Sequence, residues 1–386
     1  MSWIIRTLFL LSICFVLINT TKQLKLVQVI TRHGDRVPIY KLPGEDVVWN
    51  CEFSEFETTS TNNSQTSQHI NRVFHLSYLP NTGLLNGNCS AGQLTKLGSD
   101  QQFKLGQKFR EIYVNQLNFI SNNFDRNQIY VRSTDVPRTF QSAESLLLGL
   151  FPPSTEQEAE IIPIYTIEAS EEDMFSQSSC QRLQNLIQDI INSQEWIDHL
   201  KSVQPLWDEL LQIFNSKDMN NLTFVQIENC FICRLAHNKS FPPGMTQEIL
   251  DQVANESNWE WNKLSSTKEI QKLKIGRFIE DIVNAIMAKI NNQIAYKWML
   301  YSGHDTTLAP LLQSYNVYDN TVPDYSSYVI FELYQDDQTS TYYIKLSYNN
   351  EDLIIPGCEN TYCELETFMS ISTKLIPQNY DEECNS

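Results

Sequence analysis

Three apolar runs in this chain end in the same way, and that repetition restricts the fold more than any other feature. "LKLVQVI" (Leu24–Ile30) leads straight into Arg32-His33-Gly34-Asp35-Arg36. "IYVRSTDVPRTFQSAESLLLGLF" passes from an apolar start through Arg132-Ser133-Thr134-Asp135 into a second apolar stretch, and "KWMLYSGHDTTLAPLL" does the same through His304-Asp305. Each reads as strand, polar cluster and helix. A solvated loop would spread like charges apart, so arginines set beside a histidine at a strand's end point to chemistry. If the three strands are neighbours, the three clusters converge at one edge of the sheet, where α/β folds keep their sites.

The rest of the chain is arranged around these units. Thr58–Gln68 is polar loop. From Gln93 to Val114, the residues Leu94, Leu97, Leu105, Phe109 and Ile112 approximate a helical stripe. Ser133, Thr134 and Asp135 offer capping oxygens to the next helix, with Pro137 close to its start. Between about Pro152 and Ile270 strand-like alternation fades, and helical patterns such as Leu183, Leu186, Ile187, Ile190 and Ile191 take over. Phe278, Ile279, Ile282, Val283, Ile286 and Ile290 mark the inner face of a long amphipathic helix. "SSYVIFELY" and "TYYIKLSY", joined through "QDDQTS", read as a terminal hairpin. Strand–helix alternation on both sides of a helical insert predicts an α/β domain with an α-helical cap. The expected divisions are a leader over 1–22, α/β sequence over 23–155 and 270–386, and the cap over 156–269.

Composition narrows the setting. A net charge of −18 over 386 residues disfavours nucleic acid or an anionic membrane as partner. "MSWIIRTLFLLSICFVLINTTKQ" has the form of a secretory signal, with Arg6 before a short apolar run, and cleavage is expected between Asn19 and Gln23. No later stretch offers ~20 consecutive apolar residues, so the mature protein is expected to be soluble, in the secreted or lysosomal lumen. Of nine cysteines, Cys14 falls in the leader, which leaves an even number for disulfides. Sequons at Asn62, Asn88, Asn221, Asn238 and Asn255 suit the same route.

The chemistry follows from the clusters. Guanidinium forks match phosphate oxygens two at a time, so Arg32, Arg36 and Arg132 gathered at one point would hold a doubly charged oxyanion. Gly34 would let the backbone approach that anion. His33 inside the ring can attack phosphorus to give a covalent phospho-enzyme, and Asp305 can protonate the departing alkoxide. The remaining histidines, His69, His75, His199 and His237, show no metal-ligand spacing. Cys230 and Cys233 could form a redox or zinc half-site, but with no second pair a disulfide is favoured.

These residues resemble a family. "RHGDRVP" fits the R-H-G-x-R-x-P signature of the histidine acid phosphatases, and "GHDTT" their His-Asp motif. "VRSTDVPRT" and "PGCENTYCELETF…IPQNYDEEC" resemble further family segments, so that the likeness runs from about Lys25 to Cys384 and is closest to the prostatic and lysosomal acid phosphatases of animals. The resemblance implies hydrolysis of phosphate monoesters through a phosphohistidine, with phosphoproteins among the conceivable substrates. It makes His33 the nucleophile and Asp305 the proton donor, with Arg32, Arg36, Arg132 and His304 binding phosphate. Asp35 and Asp135 lie within the motifs without an assigned role. It implies a phosphoglycerate-mutase-like α/β fold, a mixed sheet flanked by helices with a smaller inserted helical domain. No metal and no cofactor are implied; a homodimer is. The tail implies disulfides Cys180–Cys384 and Cys358–Cys363. Cys51, Cys89, Cys230 and Cys233 are then open to three pairings, with Cys51–Cys89 and Cys230–Cys233 expected. Tyr328 stands where a family cysteine would be, and the membrane span of the lysosomal relatives is missing. The alternatives are a phytase of the same family, phosphoglycerate-mutase-type chemistry, and a secreted glycoprotein that binds phosphate esters without turnover.

Overall fold

A computed structural model describes residues 22–51, 83–152, 161–175, 180–219 and 221–385. The leader up to residue 21, the Thr58–Gln68 loop, the Asn62 sequon, His69 and His75 lie outside the described residues. Strand β1 (Lys22–Arg32) begins two residues before the expected Leu24. A two-residue ribbon pairs β2 (Val48–Trp49) with β3 (Asn86–Gly87). The main sheet then takes β4 (Ile129–Ser133), β5 (Trp298–Gly303), β6 (Tyr328–Asp336), β7 (Tyr342–Tyr348), β8 (Glu351–Leu353) and β9 (Tyr362–Glu364). Its order is β4-β5-β1-β6-β7-β8, with β9 also on β7. The strands β4, β5 and β1 run parallel, while β6 returns antiparallel to β1 and continues into β7 as the hairpin expected from sequence.

Strand parity divides the core in two. Val27 and Val29 of β1, Val131 of β4 and Leu300 of β5 face helices α1 (Lys96–Phe109) and α2 (Pro137–Leu150), meeting Phe109, Leu146 and Leu150. From α2 the chain passes through α3 (Gln181–Ile191), α4 (Gln194–Ser202), α5 (Gln204–Ile213), α6 (Phe224–Ala236) and α7 (Gln247–Lys263) before returning. The other face of the sheet, with Leu26, Ile30, Tyr301 and Phe331, is covered by α8 (Lys268–Ile290), α9 (Asp305–Ser314) and α10 (Leu365–Ser372). On α8, Phe278, Ile279, Ile282, Val283 and Ile286 are buried as the periodicity requires, each contributing roughly 1.5–3 kcal/mol. Helices α5, α6 and α7 have a core of their own, in which Leu210, Ile227, Phe231 and Val253 pack with Leu42. A short α11 (Tyr380–Cys384) closes the chain.

Thr95, Ser193, Thr223, Thr246 and Thr267 begin α1, α4, α6, α7 and α8, each side chain accepting a backbone N–H and satisfying one otherwise orphaned donor. Two local expectations change. Leu97 faces outward, 40% exposed, because the α1 stripe runs through Gly98, Gln102 and Leu105. Helix α2 starts at Pro137 without a side-chain cap.

Disulfides join Cys180 to Cys384, Cys358 to Cys363 and Cys51 to Cys89. The first fastens α3 to the tail across 204 residues, and closing that loop contributes ~2–4 kcal/mol. The expected Cys230–Cys233 bond is corrected: both are free, buried thiols. They lie three apart on α6 and are drawn to different partners, Cys230 Sγ to the Tyr40 carbonyl at 3.4 Å and Cys233 Sγ to the Tyr325 hydroxyl at 3.5 Å. Tyr328 packs edge-on to Phe109 and donates to Asn350 Oδ1 at 2.7 Å. No helix among the described residues is long and apolar enough to cross a membrane.

Candidate active site

Because β4, β5 and β1 are neighbours in that order, their carboxyl ends lie level, with Ser133 beside Ser302 and Arg32 beside Gly303. The segments that follow them, His33–Arg36, Thr134–Arg138 and His304–Asp305, share one crevice.

His33 is buried, and its Nδ1 lies 2.8 Å from the Gly34 carbonyl oxygen. A carbonyl can only accept, so Nδ1 carries the proton and Nε2 keeps its lone pair. Burial, then the charges of Arg138 and Arg32, then His304 and Arg36, hold His33 well below the ordinary imidazole value. The ring is therefore neutral in mild acid, as a nucleophile must be.

The loop carrying it is tied down by helices α1 and α2. Gly34 N–H donates to Ser142 Oγ at 3.1 Å, Asp35 N–H to Gln101 Oε1 at 2.8 Å, and Gln102 Nε2 to the Arg32 carbonyl at 2.8 Å. A Cβ on Gly34 would lie 2.2 Å from the Gly98 carbonyl oxygen. Glycine here admits α1, which is a different reason from the expected approach to a bound anion. The Asp35 carboxylate is also structural, accepting from Thr95 Oγ1 at 2.5 Å and lying 2.6 Å from His237 Nε2. Asp135 is exposed. His199, like His237, is a packing residue, stacked on Trp259 and 2.6 Å from Glu256 Oε2.

Arg32 and Arg36 are both in the crevice. Arg32 Nη2 lies 2.7 Å from Asp305 Oδ2, Nη1 donates to the Pro323 carbonyl, and the guanidinium sits 4.3 Å from the centre of the Tyr325 ring. Arg36 Nη1 donates to the Val37 carbonyl at 3.1 Å and to Asn229 Oδ1 at 3.0 Å, with Cys233 Sγ at 3.8 Å.

Arg132 is not there. It reaches Glu172 Oε1 and Asp173 Oδ1, both at 2.6 Å, and Asp281 Oδ2 at 2.9 Å. Register is the reason. Arg132 stands level with Tyr301 and Ile30, two residues short of Arg32, on the face where α8 carries Asp281. The third arginine of the crevice is Arg138, in the first turn of α2, whose Nη2 lies 3.4 Å from His304 Nδ1. Burial, with the repulsion of Arg36 and Arg32, lowers its pKa to about 10.

His304 Nε2 lies 2.9 Å from Thr134 Oγ1. A guanidinium only donates, so Nδ1 faces Arg138 as an acceptor and Nε2 holds the proton. Burial and then Arg138 lower this ring to about 3, against the smaller opposing effect of Asp305. Asp305 opens α9 and accepts from Thr306 N–H at 2.7 Å. Burial alone would raise its pKa, but Arg32, then Arg36 and His304, outweigh that and hold it below the usual aspartate value.

The crevice thus collects five of the six residues expected of it: Arg32, His33, Arg36, His304 and Asp305. Sequence reading missed Arg138, Tyr325 and Asn229. Arg138 had a usable signal, since it stands one residue into a helix that follows a strand end. Tyr325 and Asn229 arrive from distant segments with no local signal. Three guanidinium groups around an unprotonated imidazole nitrogen, with a carboxyl on one side, can bind a phosphate, accept it on nitrogen and protonate what leaves.

A family model described as "Histidine phosphatase superfamily (branch 2)" matches residues 23–349. "Counting factor 60" of Dictyostelium discoideum is 30% identical, over 94% of this chain and 88% of its own length. The prostatic acid phosphatase of Rattus norvegicus is 28% identical, over 94% and 89%. Among solved structures, Hafnia alvei phytase in complex with myo-inositol hexakis sulphate superposes with a TM-score of 0.66 at 15% identity, covering 94% of this chain and 98% of that one.

Proposed function

The chain belongs to the histidine phosphatase superfamily (branch 2) and is an acid phosphatase acting on phosphate monoesters, and on that footing we propose that its turnover passes through phosphorylated His33. The observation that carries this is the free Nε2 of His33, kept neutral among Arg32, Arg36 and Arg138.

In the first step Nε2 attacks phosphorus and the bond to the ester oxygen breaks. Its electron pair leaves with the alcohol oxygen, which takes a proton from Asp305. In the second step water attacks phosphorus and gives a proton to the Asp305 carboxylate, while the P–N bond returns its pair to His33. The three guanidinium groups oppose the charge on the phosphoryl oxygens throughout. Arg32, 2.7 Å from its carboxylate, holds Asp305 ionised. A substrate dianion that engages Arg32 removes that support and adds negative charge beside the carboxyl. Both changes raise its pKa, so the acid form is populated in the complex at low pH.

Likeness to a phytase at 15% identity concerns the fold and selects no substrate. A luminal or secreted destination is supported by the leader-like start and the three disulfides. Asn221, Asn238 and Asn255 are exposed and suit glycans. Asn88 suits one less, because its side chain holds Cys51 through the backbone N–H and carbonyl.

Rapid acid quenching and alkaline work-up of enzyme mixed with labelled p-nitrophenyl phosphate, chelator present, tests the central step. An acid-labile, alkali-stable label on the Arg32-His33-Gly34 peptide is expected. A label on serine or aspartate, or full activity in His33→Ala, would refute it. No turnover of any monoester would favour a binding protein.

A further inference from the structure

At the end of the sheet opposite the crevice, ammonium groups gather with no carboxylate to answer them. A depression of about 490 Å³ lies where β1 begins, where α8 ends and just before β5, and Lys25, Lys289 and Lys297 line it. Lys25 precedes Arg32 by seven residues on β1, so roughly 20 Å separates the depression from the crevice at ~3.3 Å per residue. Lys25 Nζ donates to Gln23 Oε1 at 2.9 Å, and Lys297 Nζ to the Phe119 carbonyl at 3.1 Å. Lys289 Nζ donates to the Ala295 and Tyr296 carbonyls at 3.1 and 2.6 Å. Neutral oxygens fix these groups and leave their charge in place. Lys96, Lys201, Lys263, Lys272 and Lys345 each meet a carboxylate, but none of these three makes an ion pair among the described residues. Lys22, at the rim, is set apart: it lies over the Tyr343 and Tyr362 rings at 4.8 and 5.2 Å and stands across from Asp336.

The backbone departs from regularity twice to make this place. The register of β1 against β6 breaks between Leu24 and Leu26, so Lys25 is the extra residue of a bulge, a device that re-aims a side chain. Arg110–Gln116 continues α1 as a π-helix and closes with Leu117 N–H on the Ile112 carbonyl at 2.9 Å, before Asn118 at φ 47°. Leu117, 53% exposed, joins Leu24, Phe119 and Tyr334 as an apolar wall beside the ammonium groups. The Tyr334 hydroxyl donates to Glu332 Oε2 at 3.1 Å, and that carboxylate is already held by Tyr113 and Lys345. In a chain of net charge −18 the depression is thus a local reversal of sign. Burial, then the like charges of Lys297 and Lys25, lower the Lys289 pKa. We propose that the depression is a second anion site, which takes a single sugar or cyclitol ring bearing two or more sulfate or phosphate groups. Ammonium point charges impose no planar fork, so they accept either oxyanion in several orientations, while the ring lies on the apolar wall. The site stands apart from turnover and does not depend on it.

Calorimetric titration with myo-inositol hexakis sulphate, at fixed ionic strength and in an excess of orthophosphate that occupies the crevice, tests this. One equivalent should bind, and glucose 6-sulfate, with a single charge, should bind at least about tenfold more weakly. Lys25→Gln should weaken binding about fivefold, and Lys25→Glu further. The kcat/KM for p-nitrophenyl phosphate should stay within about twofold of the wild type in both, because the two sites are remote. Lys289→Gln should weaken binding in the same way. Should that variant not fold, since Lys289 ties two carbonyls, the Lys25 variants decide. No binding to the phosphate-saturated protein, or binding unmoved in Lys25→Glu, would overturn the proposal. Binding of sulfated dextran without binding of the hexakis sulphate would overturn it too, by showing a surface for polymers and not a site for one ring. Binding lost in Arg138→Ala and kept in Lys25→Glu would return the ligand to the crevice, with the same consequence. Absence of phosphatase activity would remove the phosphatase reading and leave this site to be decided by the titration alone.

Discussion

Two clusters of buried arginine lie close to the same strand ends and are built on opposite electrostatic rules. Arg132 meets three carboxylates, from Glu172, Asp173 and Asp281. Among the described residues, Arg32, Arg36 and Arg138 share a single carboxylate contact, between Arg32 and Asp305. The second cluster holds its guanidinium groups with carbonyls, an amide oxygen, a thiol and an imidazole, which orient a cation without neutralising it. Positive charge that the fold has already compensated fastens elements together. Positive charge left in surplus is available to a substrate, and the acids that matter there are the ones able to exchange their arginine for a phosphate.

Breaking the one shared ion pair should have the largest effect. In Asp305→Asn, single-turnover phosphorylation by glycerol phosphate is expected to fall ~10²–10⁴-fold, the usual contribution of a general acid. Phosphorylation by p-nitrophenyl phosphate should fall far less, because p-nitrophenolate leaves without a proton. Inorganic phosphate should inhibit this variant more strongly than the wild type, since Arg32 loses its internal competitor. Equal losses on the two esters would make Asp305 a binding group and not a proton donor.

The compensated cluster should answer to stability and not to turnover. Arg132→Ala removes the cation that Glu172, Asp173 and Asp281 share, and unfolding in urea should show a loss of ~3–5 kcal/mol. The loss should shrink below pH 6, because Asp281, raised to about 6 by burial and Asp173, then takes up a proton. The kcat/KM of the folded fraction should stay within a few-fold of the wild type. Arg138→Ala should do the reverse. The inhibition constant for phosphate should rise ~10–100-fold, the worth of a charge-assisted contact. Urea stability should hold or increase, because Arg36 and Arg32 lose a like charge. A stability loss in Arg138→Ala as large as that in Arg132→Ala would erase the distinction.

The contrast also marks how far the sequence could be read. Arg32, His33, Arg36, His304 and Asp305 were legible because each sits within four residues of a strand end, and parallel neighbours bring strand ends together whatever the rest of the chain does. The strands, the hairpin and the α8 face were legible from periodicity for the same local reason. Choosing Arg132 over Arg138 ignored register: Arg132 lies beside Tyr301, two residues short of the level of Arg32 and Gly303, whereas the first turn of the next helix opens toward the crevice. Gly34 was assigned to a ligand when its missing Cβ serves a helix, a contact made by Gly98 from 64 positions further along. Tyr325, Asn229 and the separate partners of Cys230 and Cys233 depend on how α6 and the approach to β6 settle against the β1 loop. That packing is long-range and leaves no periodic trace.

The smallest effect concerns the protons that the surplus cluster refuses. With His304 lowered to about 3, the folded chain leaves this ring neutral between pH 6.5 and pH 3 while the unfolded chain protonates it. The unfolded state then binds more protons, so this group's stabilising contribution is fully present above pH 6.5 and is lost as the pH falls toward 3. At most it tilts stability by about 1.4 kcal/mol per pH unit. Glu228 and Asp281, raised to about 7 and about 6, tilt the other way over part of the same window, so the raw slope of the wild type mixes the two signs. The difference between the wild type and His304→Asn isolates the histidine, because the carboxyls are common to both. Unfolding free energies from urea titrations between pH 4.5 and 6.5 should fall more steeply with acid in the wild type by about 1 kcal/mol per pH unit. Saturating phosphate should shrink that difference. An anion among Arg32, Arg36 and Arg138 offsets the charges that keep His304 neutral, and the ring can then take a proton on Nδ1 and donate it to the phosphate. Parallel slopes without phosphate would mean that the arginines do not set the charge of this histidine, and the surplus that distinguishes the two clusters would be smaller than their contacts imply.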